Sequence, residues 1–425
     1  MQQLYNERID EKILLQELDN GLKVYIMPKR DYTKQFAIFA TRFGSNDSKF
    51  IAPGDTEVTE VPDGVAHFLE HKMFEEEEGS IFEQFSKLGA SANAYTNFTT
   101  TAYLFASTEN FYENLKLLVN FVQNPYFTDE NVEKEKGIIA QEIRMYQDDP
   151  NWRVYFNALE ALYHVYPVRK DIAGTIESIS KISKEILYKC YYTFYHPENM
   201  VLFAVGDIDV DKTLDIIKEN VRQEKKQGEI KRIYPKEPLS VYEKEVVQDM
   251  QVSIPLFNLG FKDTDVGFGG KKLLKKNLEI QIGLEMVLGR SSDLYERLYN
   301  EGLIDSTFSF DYGGEIDYGY SIIGGQSKDP FKVRDIILNA INNLQFLKEE
   351  DFERIKKKYI GKFLRTFNSV DSIAYSFINF YMKEINLLDY LDVLYSISFE
   401  DVRERFQNHL REENSVLSVV NPIKK

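Results

Sequence analysis

At 425 residues the chain is longer than one hydrophobic core usually fills, so two domains are expected. Its 52 basic and 68 acidic residues leave a formal net charge of −16, which argues against nucleic acid or an anionic membrane surface as a partner. The single cysteine, Cys190, excludes an intrachain disulfide and fits a reducing compartment. The start of the chain lacks a basic segment leading into an apolar one, and no window approaches eighteen apolar residues. A cytoplasmic protein without a membrane span is therefore expected.

In chain order, Leu18 to Pro28, with an Asn20-Gly21 turn and alternating apolar residues, reads as the opening strand, and Phe36 to Phe43 as the next. Asn46 to Pro62 reads as a loop. Gly64 to Phe74, GVAHFLEHKMF, has helical spacing that puts His67 and His71 on one face, with Glu70 one turn from His67. Two imidazoles four residues apart suit zinc, and a carboxylate beside the second can take a proton from a bound water; the order His-x-x-Glu-His is a recognised zinc peptidase signature. Two histidines alone hold zinc weakly, so a third ligand must come from elsewhere.

Glu75 to Glu78 read as a solvated charge run, and Ser80 caps a short helix ending at Gly89. Ser91 to Ser107 is threonine-rich and reads as strand flanking the histidine helix, followed by a helix over Glu109 to Asn124. Thr128 to Asp148 reads as a capped helix whose apolar stripe is Val132, Ile138, Ile139 and Ile143. Its Glu135 and Glu142 are seven residues apart and share a face. Glu142 lies between Ile139 and Ile143, where a charge is costly unless paired or bound to metal. Gly137 within this helix suggests close packing there. Asn151 to Val165 and Ile182 to Tyr195 read as helices and Asn199 to Val205 as a strand; His164 and His196 have no ligand spacing and read as structural.

Glu219 to Pro238 is polar without an apolar period and reads as an interdomain linker, giving domains at 1–222 and 241–425 joined by 223–240. Ile182 to Val205 aligns without gaps to Ile397 to Val420, and Asn131 to Glu142 parallels Asp351 to Lys362, with Ile355 opposite Glu135 and Lys362 opposite Glu142. The chain reads as a duplication in which the first copy alone kept metal-binding residues. Each copy is expected to be an α+β domain, helices packed on one face of a mostly antiparallel sheet.

His67, Glu70 and His71, then Glu135 and Glu142, resemble the M16 (pitrilysin or insulinase) family of zinc metallopeptidases. Gly89 to Phe105, NPYF at Asn124 to Phe127, DIAGT at Asp171 to Thr175 and Phe194 to Asp209 look like further landmarks of that family, in order. The chain most resembles its bacterial two-domain, YmfH-like branch. The resemblance implies a zinc-dependent endopeptidase acting on short or unfolded peptides inside a clamshell chamber, with one Zn2+ held by His67, His71 and Glu142. It makes Glu70 the general base and Glu135 a supporting catalytic carboxylate. It also implies an edge strand that takes the substrate as an added strand, with Asn93 positioning its backbone beside Ala94 and Tyr95.

One landmark is altered. Active members carry an arginine and a tyrosine in a motif like SSRLFQELREKRGLAY; here Ser291 to Asp305 reads SSDLYERLYNEGLID, with Tyr299 and Asp305 at those two positions. Unless Arg297 and Tyr312 substitute, the expectation is a heterodimer whose paralogous partner supplies the pair, a homodimer being less expected. The alternative is a non-catalytic structural or assembly subunit of the same fold.

Overall fold

The computed structural model describes residues 1–76, 79–344 and 346–423, so part of the Glu75 to Glu78 run lies outside the described residues. The residues before Leu18, to which the sequence assigned no element, form a hairpin of β1 (Gln2–Asn6) and β2 (Glu11–Glu17). With β3 (Lys23–Pro28), β4 (Gln35–Thr41), β5 (Ala90–Thr96), β6 (Thr101–Ser107) and β7 (Met200–Gly206) they make a seven-stranded sheet in the order β1-β2-β3-β7-β4-β6-β5. All pairings are antiparallel except β3 with β7. A second sheet holds β8 (Glu245–Met250), β9 (Leu256–Lys262), β10 (Ser309–Gly314), β11 (Gly319–Gln326) and β12 (Ser415–Pro422) in the order β8-β12-β9-β11-β10, with β8 and β12 parallel. The five strands β3-β7-β4-β6-β5 repeat as β8-β12-β9-β11-β10, one parallel pair at the same place in each, as a duplication requires.

The helices that matter for the site are α1 (Val65–Lys72), α2 (Phe111–Gln123), α3 (Asp129–Asp148), α4 (Pro150–Leu162) and α5 (Lys184–Phe194) in the first half. Their counterparts and partners in the second half are α6 (Gly270–Leu288), α7 (Glu349–Thr366), α8 (Val370–Met382) and α9 (Phe399–His409). No helix among the described residues is long and apolar enough to cross a membrane.

The chain folds as two compact units. One holds Met1–Ile143, Asp171–Tyr234 and Arg365–Met382; the other holds Arg144–Lys170, Pro235–Leu364 and Lys383 onward. The change at Tyr234 falls inside the 223–240 segment, but that segment is not a bare tether: Ile230 is buried and Lys231–Arg232 pairs with Lys49–Ile51. The units differ from a colinear division into 1–222 and 241–425 in one respect. Each half gives up the helix that follows its α3 or α7, so α4 belongs to the second unit and α8 to the first.

The strand pattern explains this exchange. Val24, Ile26, Ala37, Phe39, Tyr103, Phe105, Leu202 and Ala204 point to one face of the first sheet and join the core of α1, α2 and α5. The alternate residues Tyr25, Phe36 and Phe203 are apolar too, so that face also needs a cover. Phe377 of α8 stacks on Phe203 with ring centroids 4.2 Å apart and meets Tyr25 at 4.8 Å. In the second sheet Val154 of α4 packs with Leu256 and Val420. Gly260 leaves room there, since a Cβ on it would meet Leu162 at 3.0 Å. Each half's own helices cover one face, as expected, and the exchanged helix covers the other.

Candidate metal centre

Helix α1 begins at Gly64, whose φ of 89° lies in the left-handed region. A Cβ at Gly64 would stand 2.4 Å from the carbonyl oxygen of Ala173, and one at Gly174 would stand 2.5 Å from that of Asp63. The 171–175 segment is thus a backbone clamp on the start of the helix, reinforced by Ser178 Oγ donating to the Asp63 carbonyl at 2.8 Å. Beyond it Val65, Ala66, Phe68 and Leu69 are buried in the core, which leaves His67, Glu70 and His71 on the partly open side.

Helix α3 brings the second set of groups. Its buried residues are Asn131, Val132, Glu135, Ile139 and Ile143. The stripe is therefore not the expected one: Ile138 is 46% exposed, and Glu135 occupies the buried position between Val132 and Ile139. Gly137 is not a packing site either, since a Cβ there would meet nothing within 4 Å.

His67 Nε2 lies 3.6 Å from Glu142 Oε1, and His71 Nε2 lies 3.5 Å from Glu142 Oε2. One ligand atom from each of His67, His71 and Glu142 lies within 4.8 Å of the other two. Tetrahedral zinc with donors at about 2.0–2.2 Å holds them about 3.3–3.6 Å apart; the two measured distances match that spacing, each to a different oxygen of Glu142. Two imidazoles and one carboxylate are also the donor types zinc takes when it keeps a position open for chemistry. Among the described residues no other such cluster occurs; His164 and His196 bond to Ser240 and to the Lys225 carbonyl.

The surrounding groups set protonation. Burial, helped by the neighbouring His71, pushes the His67 pKa down to about 3, so His67 is neutral, as a ligand must be. Its Nδ1 is buried without a hydrogen-bond partner among the described residues. For His71, burial acts downward but is outweighed by the hydrogen bond to Glu135 and the charges of Glu70, Glu135 and Glu142, so its pKa is raised. Glu135 Oε1 lies 3.0 Å from His71 Nδ1, and the ring's other nitrogen, Nε2, faces Glu142. Glu70 Oε2 accepts from Thr96 Oγ1 at 2.9 Å. Burial raises the Glu70 pKa, with His71 and Thr96 opposing and Glu142 adding to the rise. A carboxyl group tuned upward in this way holds a proton more readily than an ordinary carboxylate, as a proton acceptor must.

Residues 50–176 match the family described as Insulinase (Peptidase family M16), and residues 181–359 match the one described as Peptidase M16 inactive domain. The chain is 45% identical over 421 residues to "Uncharacterized zinc protease YmfH" of Bacillus subtilis (strain 168), covering 98% of each chain. The chain belongs to the M16 peptidase family. A crystal structure of an M16-like peptidase from Alicyclobacillus acidocaldarius superposes with a TM-score of 0.93 at 39% identity, covering 96% of this chain and 98% of that one. A protease from Helicobacter pylori shares the fold with a TM-score of 0.82 at 20% identity, covering 97% and 100%. The names of the relatives support a peptidase-type function and zinc as the metal.

Within this M16 frame, Ser91 to Ser107 is a hairpin rather than one strand, and β5 is an edge of the sheet, next to β6 only. Thr96 reaches Glu70, and the alternation of a strand puts Ala94 on that same face and Asn93 and Tyr95 on the opposite one. Tyr95 meets Tyr375 there at 5.9 Å, and Asn93 Oδ1 accepts from the Ala94 N–H at 2.9 Å. In the second unit the Tyr312 hydroxyl donates to buried Asp263, and Arg297 is exposed and bonds to Glu301 at 2.9 Å.

Two residues of the site escaped the sequence reading. Thr96 was visible only as one of several threonines. Lys72 carried a clearer signal: it continues the buried stripe Val65, Phe68, Leu69, so the helical period calls for an apolar residue there. Lys72 is 0% exposed, contacts the Glu75 carboxylate and lies 4.0 Å from Glu135 Oε2. An ammonium group so buried costs several kcal/mol unless paired, and here two carboxylates pair it.

Proposed function

We propose that the chain is a zinc-dependent endopeptidase that hydrolyses short or unfolded peptides, and that it works as the metal-bearing subunit of a heterodimer. The observation that carries this reading is the convergence of His67, His71 and Glu142 on one point, with Glu70 beside them. His67, His71 and Glu142 hold the metal. Zinc in such a site supplies Lewis acidity, polarising a carbonyl and lowering the pKa of water to about 7. Glu70, steadied by Thr96, accepts the proton of the attacking water and returns it to the departing amine. Glu135 fixes the ring of His71 through Nδ1. The substrate lies along the free edge of β5, where backbone pairing tolerates many sequences.

What supports a partner is the state of the second unit. The positions where active relatives of the family carry arginine and tyrosine hold Tyr299 and Asp305, and the Tyr312 hydroxyl is engaged by Asp263. A paralogue carrying the arginine and tyrosine would complete the site, the two chains closing around the peptide. The test is metal content and cleavage of an unstructured peptide by the purified chain alone and with a co-expressed paralogue. The reading expects one zinc per chain and strong cleavage only with the partner. Full activity of the lone monomer defeats the heterodimer, and absence of zinc from carefully prepared protein defeats the enzyme.

A further inference from the structure

We infer that Lys72 is a positioning residue of the zinc site, acting on the metal through Glu135 and His71; this rests on the zinc reading above and extends it by one residue. Five groups stand in line. The Glu75 carboxylate meets the Lys72 ammonium, which faces Glu135 Oε2 at 4.0 Å, and Glu135 Oε1 faces His71 Nδ1 at 3.0 Å. His71 Nε2 then faces Glu142 at 3.5 Å. The two oxygens of Glu135 are thus divided between a cation on one side and an imidazole on the other.

A carboxylate with one free oxygen can rotate and change the angle at which it meets the ring; an ammonium 4.0 Å from the second oxygen, at ion-pair distance, biases that rotation by its charge. Glu135 is buried, so no bulk water stands ready to replace the ammonium as the second partner. Lys72 is fully buried on α1 itself, one residue after His71, so its stem is held by the core that packs Phe68 and Leu69. The helix that presents the imidazole therefore also carries the cation that holds the carboxylate on α3. Packing alone does not account for a lysine here: the stripe asks for an apolar side chain, and the place where local rules are broken is the place next to the chemistry.

The experiment is a double-mutant cycle on the full chain, reading zinc affinity by competition with a chromophoric chelator and the visible spectrum of the cobalt-substituted protein. Glu135→Gln is expected to weaken zinc roughly 10- to 100-fold, the range for losing an outer contact to a metal ligand. Lys72→Met, which keeps the buried volume, is expected to weaken it in the same direction by a smaller factor, because it acts through Glu135. In the Glu135→Gln background Lys72→Met should add little, because the path from lysine to metal is already cut. The cobalt bands should shift in the same direction in both single variants. Should Lys72→Met not fold, Lys72→Gln, which can still bond to Glu75, is used in the same cycle. Wild-type zinc affinity in the folded lysine variant, or additive losses in the double variant, overturns the inference. Failure of the wild-type chain to bind zinc would instead overturn the metal centre itself.

Discussion

Helices α3 and α7 occupy equivalent places in the two halves and do different things. In α3 the buried stripe includes Glu135, and Glu142 turns toward two histidines. In α7 the matching residues are Ile355, 1% exposed, and Lys362, which is exposed. The sheets beneath have the same strand order, so the scaffold forms with either set. The same scaffold thus forms around the polar cluster in one half and, in the other, around Ile355 and Lys362 at the matching positions.

If that is right, removing a ligand should cost the metal and not the fold. His67→Ala, His71→Ala or Glu142→Ala is expected to drop zinc from one per chain to near none, read by elemental analysis, with the circular dichroism of the apo-protein kept. Glu70→Gln should separate chemistry from binding. Zinc stays stoichiometric, while cleavage of an unstructured peptide falls by about 10²- to 10⁴-fold, the usual share of a general base.

Copying the second half into the first sharpens the comparison further. Glu135→Ile should weaken zinc roughly 10- to 100-fold. Combined with Lys72→Met it should leave the apo-protein as stable or more so, since paired buried charges give way to apolar groups, whereas alone it takes away one of the two carboxylates that pair Lys72. A loss of apo-stability in the double variant would mean that the pair is structural. Gly64→Ala tests the clamp at the start of α1: with φ at 89° and the Ala173 carbonyl 2.4 Å from the added Cβ, it should destabilise by more than about 1 kcal/mol. A thermal melt reads it.

The second half has its own pH response, independent of zinc. His409 is buried, with Nε2 2.7 Å from Ser321 Oγ, and burial lowers its pKa to about 4 against an ordinary 6.5. The unfolded chain takes up this proton first as pH falls. Stability from this group is thus complete above about pH 6.5, declines toward pH 4 and declines no further below, by at most about 3 kcal/mol. His409→Gln should flatten that part of the stability profile with zinc present or absent.

How much of this the sequence disclosed depended on the range of the interaction. The histidine helix, the caps, the duplication and the seven-residue spacing of the two glutamates are local patterns, and all were legible. The exchange of α4 and α8 was not, because an amphipathic helix does not state which sheet it will cover. The alternate apolar residues Tyr25, Phe36 and Phe203 hinted only that some cover was needed. The choice of Glu135 over Ile138 for the buried stripe was hidden as well. Period alone favours the isoleucine, and only the contact with His71 and Lys72 reverses it.

The central claim is that two imidazoles of α1 and one carboxylate of α3 hold a single zinc ion. X-ray absorption at the zinc edge on the purified chain, beside its Glu142→Ala variant, tests it most directly. The account predicts two nitrogen donors and carboxylate oxygen at zinc distances in the wild type, and no stoichiometric zinc in the variant. Unchanged zinc donors and full zinc content in the variant would contradict it.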